Sequence, residues 1–373
     1  MADFYRVLVF VALLNGLVLI AALLLRKQNR LANVLLSASI AAGLYFQLIL
    51  YLKLSGRIFQ HPRLYRTGFP ASLLDVPLLY LYVRALTVPG FRWSRRCSLH
   101  LLPFVFGLAW YFAFYALPLD SPYWTRGDEL RFETYARNVI GVAICGAYLG
   151  ACFFRLHAYR GYVRNYFSEL RRVRLHWLQW LLALVSLPWL VELVNALIGP
   201  GVTLERVTVP VVTVVILMMG FFGLRQSAIF ASDEAAELTP SDGRERREER
   251  YEPFDENELR SWKEKLDAYM DGQKPYLNPE LRLSDLAHAV GLKAYQLSEV
   301  INRRAGTNFY EYVNGYRVEE AKRRLLDPAY AHMNILGIAV DSGFNSKSVF
   351  NDVFRKTTGK TPSTYRSGPE KSP

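Results

Sequence analysis

Cysteine is scarce in this chain. Cys97, Cys145 and Cys152 are the three present among 373 residues; all lie in or beside apolar stretches and none has metal-ligand spacing. That argues against a disulfide framework and against a structural zinc. The six histidines are scattered, with no HExxH pair and no Cys/His cluster. A phosphate-binding glycine loop is missing, as is any nucleophile and base at catalytic spacing, so no catalytic residue and no cofactor is expected. Acidic charge is thin in the first part of the chain: residues 1–232 hold 9 Asp and Glu against 23 Lys and Arg, while residues 233–373 hold 24 against 22. The formal net charge of +12 therefore belongs to the apolar part of the chain and not to its polar end.

What is there instead is a succession of apolar stretches long enough for a bilayer core, at about 4–25, 33–54, 69–88, 98–117, 137–157, 177–198 and 206–225. Seven spans are expected. The first lacks a basic region before it and is followed directly by Arg26, Lys27 and Arg30, the reverse of a cleavable signal, so it is expected to stay as a span. Lys and Arg are retained on the cytoplasmic side of short loops. The loops carrying Arg26, Lys27 and Arg30, then Arg92, Arg95 and Arg96, then Arg155, Arg160, Arg164, Arg171, Arg172 and Arg174 should face the cytoplasm. Asp120, Asp128, Glu129 and Glu133 outweigh Arg126 and Arg131 on an outer loop, whereas Lys53, Arg57, Arg63 and Arg66 go against the rule. Such a chain would sit in the bacterial inner (cytoplasmic) membrane as a multi-pass protein, N-terminus outside and C-terminal domain in the cytoplasm.

Polar residues within spans usually face a bundle interior or a cavity. Asn15, Gln47, Asp75, Asn138, Glu192 and Asn195 are such residues, with Pro77 and Pro188 as kink points. Asp75, Glu192 and Asn195 are candidates for a sensor pocket. The alternative is interhelical hydrogen bonding that only holds the helices together.

After residues 1–230, residues 231–253 form a polar linker containing Thr-Pro-Ser-Asp-Gly and a mixed-charge run. Residues 254–275 predict an amphipathic coupling helix, with Asp255 as N-cap and Glu258 at capping-box spacing. Its stripe of Leu259, Trp262, Leu266 and Tyr269 could be a short dimerisation seam or could pack on its own domain.

Residues 276–373 carry two patterns of helix, glycine turn, helix. In the first, Ser284 caps a helix burying Leu286, Ala287 and Val290, Gly291 turns the chain, and a second helix from near Lys293 buries Leu297, Val300 and Ile301. Its outward face presents Tyr295, Gln296, Ser298, Glu299 and Asn302, followed by Arg303 and Arg304. A long helix over about Phe309–Leu326 leads to the second unit, in which Ile335, Ile338 and Ala339 pack inward and Gly343 and Phe344 make the turn. Asn345 or Ser346 caps its second helix, which buries Val349, Phe350, Val353 and Phe354 and turns Lys347, Ser348, Asn351 and Asp352 outward. Arg355 and Lys356 complete the candidate DNA-binding set. The second helix of such a motif enters the major groove and reads base edges, and a rigid helix between the units would set both readers about 34 Å apart on one DNA face.

The stretches LSDLAHAVGL, FYEYVNGYRVEEAKRRLL and ILGIAVDSGFNSKSVFNDVFRKTTGKTPSTYR resemble the AraC/XylS-type transcription regulators, in order and spacing, over about residues 276–366. The resemblance implies a seven-helix domain of two helix-turn-helix units joined by a linker helix. It also implies that Tyr295, Ser298, Glu299, Lys347, Ser348, Asn351 and Asp352 occupy positions that commonly face bases, and that Gly343, Phe344 and the Thr361, Pro362, Tyr365 and Arg366 tail are structural. Glu299 and Asp352 depart from the basic or neutral residues common there; a carboxylate would accept from cytosine N4 instead of binding guanine. The apolar half looks like the seven-span membrane-bound subset of that family.

The fold class expected is thus all-α: a seven-span transmembrane bundle followed by a cytoplasmic double helix-turn-helix domain. The expected function is membrane-embedded one-component transcription regulation. Its expected partners are double-stranded DNA, the lipid bilayer, RNA polymerase, a second copy of the chain and a signal ligand of unstated chemistry. A transporter-like or scaffold protein with a helical protein-interaction domain is the alternative, and cleavage of the linker to free the DNA-reading part is a variant.

Overall fold

Apolar residues all round a helix, with no polar face, mark a helix buried on every side by protein or lipid. That is the make-up of the first helices of this protein, a computed structural model of which describes residues 2–60, 64, 67–88, 90–114, 127–170, 175–198, 205–225 and 253–367. The long helices of the apolar part are α1 (Ala2–Leu25), α2 (Arg30–Leu54), α3 (Gly68–Thr87), α4 (Leu102–Phe114), α5 (Gly127–Tyr166), α6 (His176–Ile198) and α7 (Glu205–Arg225). The polar part has α8 (Glu256–Gln273), α9 (Leu283–Val290), α10 (Ala294–Val300), α11 (Phe309–Leu326), α12 (Ile335–Asp341), α13 (Lys347–Thr358) and α14 (Pro362–Arg366). Every regular element among the described residues is helical, and one isolated antiparallel bridge pairs Phe167 with Arg282. The chain divides into two compact units, residues 1–157 with 175–232, and residues 158–174 with 233–373.

In the first unit α1 packs on α2 and α7, α2 on α3, α3 on α4, and α6 on α7. Val9, Leu50 and Val209 meet in a buried cluster of α1, α2 and α7. Among the described residues five helices are long and apolar enough to cross a membrane: Phe4–Leu25, Arg30–Lys53, Gly68–Thr87, Tyr135–Tyr166 and Val207–Arg225. They represent the first, second, third, fifth and seventh of the seven expected spans. The fourth expected span, 98–117, is represented by α4, described as far as Phe114 and preceded by the helical turns Arg95–Ser98 and Leu99–Leu101. The rest of that stretch, from residue 115, lies outside the described residues. In the sixth, 177–198, α6 runs the full expected length, His176–Ile198, with side chains described continuously as far as Val191. The linker, 231–253, lies outside the described residues except for Pro253.

The second unit has two cores. Leu266 and Met270 of α8, Leu283, Leu286 and Ala287 of α9, Leu297 of α10 and Phe309, Tyr312 and Val313 of α11 form the first. Val318, Ala321 and Leu325 of α11, Ile338 and Ala339 of α12, Phe344, and Phe350 and Phe354 of α13 form the second. One helix therefore serves both, its first half in one core and its second half in the other. Asp255 caps α8 with Glu258 closing the box, as the spacing predicts, and the apolar face of α8 lies against its own domain. Asp267 accepts from Lys263 of its own helix (2.6 Å) and fastens α8 to α11 by accepting from Tyr312 (2.8 Å) and Tyr316 (3.0 Å). Burial alone would raise its pKa, but those three hydrogen bonds outweigh it and hold the carboxyl below its ordinary range.

Local chemistry at the turns follows the residues. Gly291 and Gly343 both take positive φ, 80° and 88°, which a Cβ disfavours. At Gly343 space matters as well: a Cβ there would stand 2.3 Å from the Tyr276 carbonyl and 3.0 Å from Arg317 Nε. Two capping expectations are corrected. Helix α9 begins at Leu283, one residue before Ser284, and its first turn is closed by Asp285 accepting from Arg282 N (3.1 Å), because the carboxylate can reach back where the Ser284 hydroxyl, already inside the helix, cannot. Ser346 is the N-cap of α13, but its hydroxyl pairs with Ser348 (2.9 Å) in place of a backbone N–H.

Replacing Gly343 by Ala is expected to lower the opening free energy of the second helix-turn-helix by about 2–3 kcal/mol through strain and collision. At Gly359, where φ is +74° but nothing lies within 4 Å, Ala should cost about 1 kcal/mol. Amide hydrogen exchange on the full chain reads both, and equal losses would remove the close-approach account of the Gly343 turn. Glu320 gives a pH prediction. Burial raises its pKa, but hydrogen bonds from Arg323 (2.7 Å) and Arg324 (2.8 Å) prevail and hold it at about 2, against an ordinary 4.5. A depressed carboxylate stabilises above its unfolded pKa and loses that contribution as pH falls, so protection in α11 should drop from about pH 4.5 toward about 2. The drop should be smaller in Glu320→Gln, and an identical acid profile in that variant would contradict the assignment.

Candidate nucleic-acid interface

A helix can read a groove only if its outward side chains are free and its inward ones hold it still. Both recognition helices are anchored by full burial, α10 through Leu297 and Val300 with Ile301 following, α13 through Phe350 and Phe354. Phe344 lies 5.1 Å from Phe350, Phe350 5.4 Å from Phe354, and Phe354 5.3 Å from Tyr365, a row of rings that seats α13 and the tail. Arg366 closes that tail by donating to the carbonyls of Met333 (2.6 Å), Tyr330 (3.4 Å) and Ala331.

On α13 the outward set is open. Asn345, Lys347, Ser348, Asp352, Arg355 and Lys356 are exposed, and Ser346 and Asn351 are half-buried. Lys356 is shared with the body of the domain, since its ammonium lies 3.1 Å from Glu311 on α11. Near the N-terminus of α13, Lys347 stands at the position from which a helix meets base edges.

On α10 the candidates divide. Tyr295 is exposed, with the Lys293 ammonium 6.0 Å from its ring centre. Gln296 folds back to accept from Lys293 N (3.0 Å), completing the helix start. Asn302 donates to Ser298 (3.2 Å). Glu299 is largely covered and accepts from Arg303 (2.9 Å), and its second oxygen is buried without a hydrogen-bond partner. Arg303 also reaches Glu256 (2.8 Å) and the Phe254 carbonyl (3.1 Å), and Arg304 pairs with Glu256 (2.8 Å). These cations pin the first turn of α8 to the end of the first helix-turn-helix. The carboxylate considered for cytosine therefore faces its own arginine in the free protein.

The residue that joins the two helix-turn-helix units is one that periodicity alone passes over. Arg317 on α11 is 1% exposed, the largest fully buried side chain among the described residues. It donates through Nε to Tyr276 O (2.8 Å), through Nη2 to Asn278 O (2.8 Å) and through Nη1 to Asn314 Oδ1 (3.3 Å), and it lies 5.9 Å from the Phe344 ring centre. Burial lowers its pKa to about 10, with the Glu169 carboxylate acting in the other direction, so it stays charged at neutral pH. A cation at the i+4 step between Val313 and Ala321, both fully buried, was the available signal.

Of the sensor-pocket candidates, Asp75 is described: it accepts a hydrogen bond from Ser39, joining α3 to α2. The side chains of Glu192 and Asn195 lie outside the described residues. Gln47 likewise joins α2 to Thr213 of α7 (2.6 Å), and Asn15 bonds to Val11 O in its own helix (2.9 Å). Ser39 with Asp75 and Gln47 with Thr213 are hydrogen bonds between helices.

Comparison with known proteins bears on the C-terminal part. Residues 286–368 match the family described as "Helix-turn-helix domain". An uncharacterized HTH-type transcriptional regulator of Staphylococcus aureus (strain COL) is 32% identical over 103 residues, 28% of this chain and 13% of that protein. One from strain MSSA476 matches to the same extent. The regulatory protein PocR of Salmonella typhimurium (strain LT2) is 35% identical over 91 residues, 24% of this chain and 29% of PocR. The chain thus spans less than a third of the length of these relatives. No solved structure matches. Two helix-turn-helix units on one linker helix, together with these matches, identify the C-terminal segment as an AraC-type helix-turn-helix domain, a DNA-binding domain of transcription regulators.

Proposed function

We propose that the chain is a membrane-embedded one-component transcription regulator, in which a stimulus received by the apolar half alters DNA binding by the helix-turn-helix domain. The observation that carries the DNA-binding part is the open polar face of α13 on a domain whose two cores share α11. Membrane embedding is supported by the five long apolar helices and by α1, where Phe4, Val7, Phe10, Leu14 and Leu17 are more than half exposed along one face. An apolar stripe of that size needs a nonpolar surrounding. The seven-span arrangement with the N-terminus outside follows the basic loops. A change of a few kcal/mol in the balance between two arrangements is enough to switch occupancy. A second copy of the chain would add a second pair of readers through raised effective concentration, and RNA polymerase and a signal ligand complete the set of partners.

The reading residues in this proposal are Tyr295, Ser298, Lys347, Ser348, Asn351, Asp352 and Arg355, while Gln296, Glu299, Arg303 and Lys356 hold the readers in place. The full chain, solubilised and mixed with fragments of its source genome at about 0.15 M salt, which suppresses purely electrostatic binding, should enrich a motif of two elements about 34 Å apart. Lys347→Ala and Asn351→Ala should flatten base preference within one element by about 1–3 kcal/mol per contacted pair. Arg303→Ala should keep base preference and loosen the first turn of α8. No enrichment by the folded full chain overturns the regulator.

Topology is tested separately. Reporter fusions after Arg30, Arg96 and Arg164 should report the cytoplasm, and one near Asp128 the outside. The opposite pattern would separate the helix-turn-helix domain from DNA and remove the proposal.

A further inference from the structure

Residues 158–174 connect the fifth and sixth expected spans, yet they group with residues 233–373 and not with the apolar half. The seat is specific. Phe167 pairs with Arg282 in the antiparallel bridge, and the Arg282 guanidinium lies 5.7 Å from the Phe167 ring centre. Ser168 N donates to Leu281 O (3.4 Å), and Ser168 Oγ donates to the same carbonyl. Arg317 reaches in from the other side, Nη1 to Ser168 O (3.3 Å) and Nη2 to Ser168 Oγ (3.1 Å). Phe167 and Ser168 are 6% and 2% exposed, and Tyr166 packs against the first core.

Two of the five hydrogen bonds of Arg317 therefore end on Ser168, at the point where α11 passes from one core to the other. The remaining three hold the loop of Tyr276 and Asn278 and the linker helix itself, and the Gly343 turn of the second unit leans on that same loop. Withdrawing Ser168 leaves buried N–H groups without acceptors, which a protein relieves by admitting water or shifting the loop. Either change loosens the joint between the two helix-turn-helix units. With the segment seated, Tyr295, Lys347, Ser348, Asp352 and Arg355 are all exposed, so it does not act by covering the readers.

Building on the regulator proposed above, we infer that residues 158–170 are its coupling element. Seated on Leu281, Arg282 and Arg317, they hold the two helix-turn-helix units in one mutual arrangement and keep two-element DNA binding strong. Drawn away by the spans on either side, they weaken it.

The test uses the full chain in lipid nanodiscs, with the genomic fragment most enriched above and a copy carrying five extra base pairs between its two elements. A cysteine-pair variant carries Phe167→Cys with Arg282→Cys, since an antiparallel bridge sets Cα atoms about 4.5–5.5 Å apart, within disulfide range. The wild-type chain should bind the native fragment and lose about tenfold on the expanded one. Ser168→Lys should bind the native fragment about tenfold more weakly and no longer distinguish the two, since independent units tolerate altered spacing. Ser168→Thr, which keeps the hydroxyl, should behave as wild type. Ser168→Ala should fall between, and oxidising the cysteine pair in that background should restore both affinity and spacing preference. That restoration is a gain that misfolding cannot imitate. Spacing preference unchanged in Ser168→Lys, or no restoration on oxidation, overturns the coupling element while leaving the regulator intact. A wild-type chain that binds no fragment overturns the regulator, and the coupling element with it.

Discussion

A buried guanidinium is tolerated only where fixed oxygens replace the water it has lost, and the arrangement of the second unit follows from meeting that demand at Arg317. Its acceptors come from three places: the 276–278 loop between α8 and α9, the linker helix through Asn314, and residue 168 far upstream. The Phe344 ring of the second turn lies alongside. Because the group stays charged with its pKa near 10, each of these is a charge-assisted contact, stronger than a neutral hydrogen bond. Gly343 belongs to the same constraint, since only a residue without Cβ lets that turn approach the Tyr276 carbonyl.

Around that junction the charged residues divide their work by location. Those close to α8 and α11 are engaged: Glu256 with Arg303 and Arg304, Glu320 with Arg323 and Arg324, and Arg324 also with Asp341 of α12 (3.3 Å). Individually, exposed pairs of this kind contribute little. The Glu320 set, with a largely buried carboxylate, contributes more and, through Arg324 and Asp341, joins the linker helix to the second helix-turn-helix. Among the described residues, the charged side chains at the outer face of α13 have no comparable ion pair except Lys356, and that difference separates a reading surface from the frame that presents it. Among the described residues of the apolar half, polar contacts between elements include Ser39 with Asp75, Gln47 with Thr213, His100 with Tyr148, and Arg26 with the Gly223 and Leu224 carbonyls.

Much of the helix-turn-helix domain was legible in the residues because its signals are local. A period near 3.6 in Leu286, Ala287 and Val290, glycines at 291 and 343, and Asp327-Pro328 after an 18-residue run each act within one or two turns of chain, and α11 begins and ends where that pattern places it. The outward positions of α13 follow from the same period. Span counting rests on length and apolar composition alone, and these carry no information about how the helices pack; α6, for one, runs unbroken from His176 to Ile198 through Pro188.

What the sequence determined by itself is therefore the helical class, the two turn glycines, the inward and outward faces of the recognition helices and the apolar character of the first half. Only the tertiary structure decided that Arg303 and Arg304 reach Glu256, that α8 is packed into the first core, and that Phe167 and Ser168 sit on Arg282 and Arg317. Arg317 and Ser168 are 149 positions apart. Helical periodicity relates residues three or four apart and carries no information about a pairing across that distance. Such a pairing is chosen by which buried donor finds which acceptor once the helices have packed.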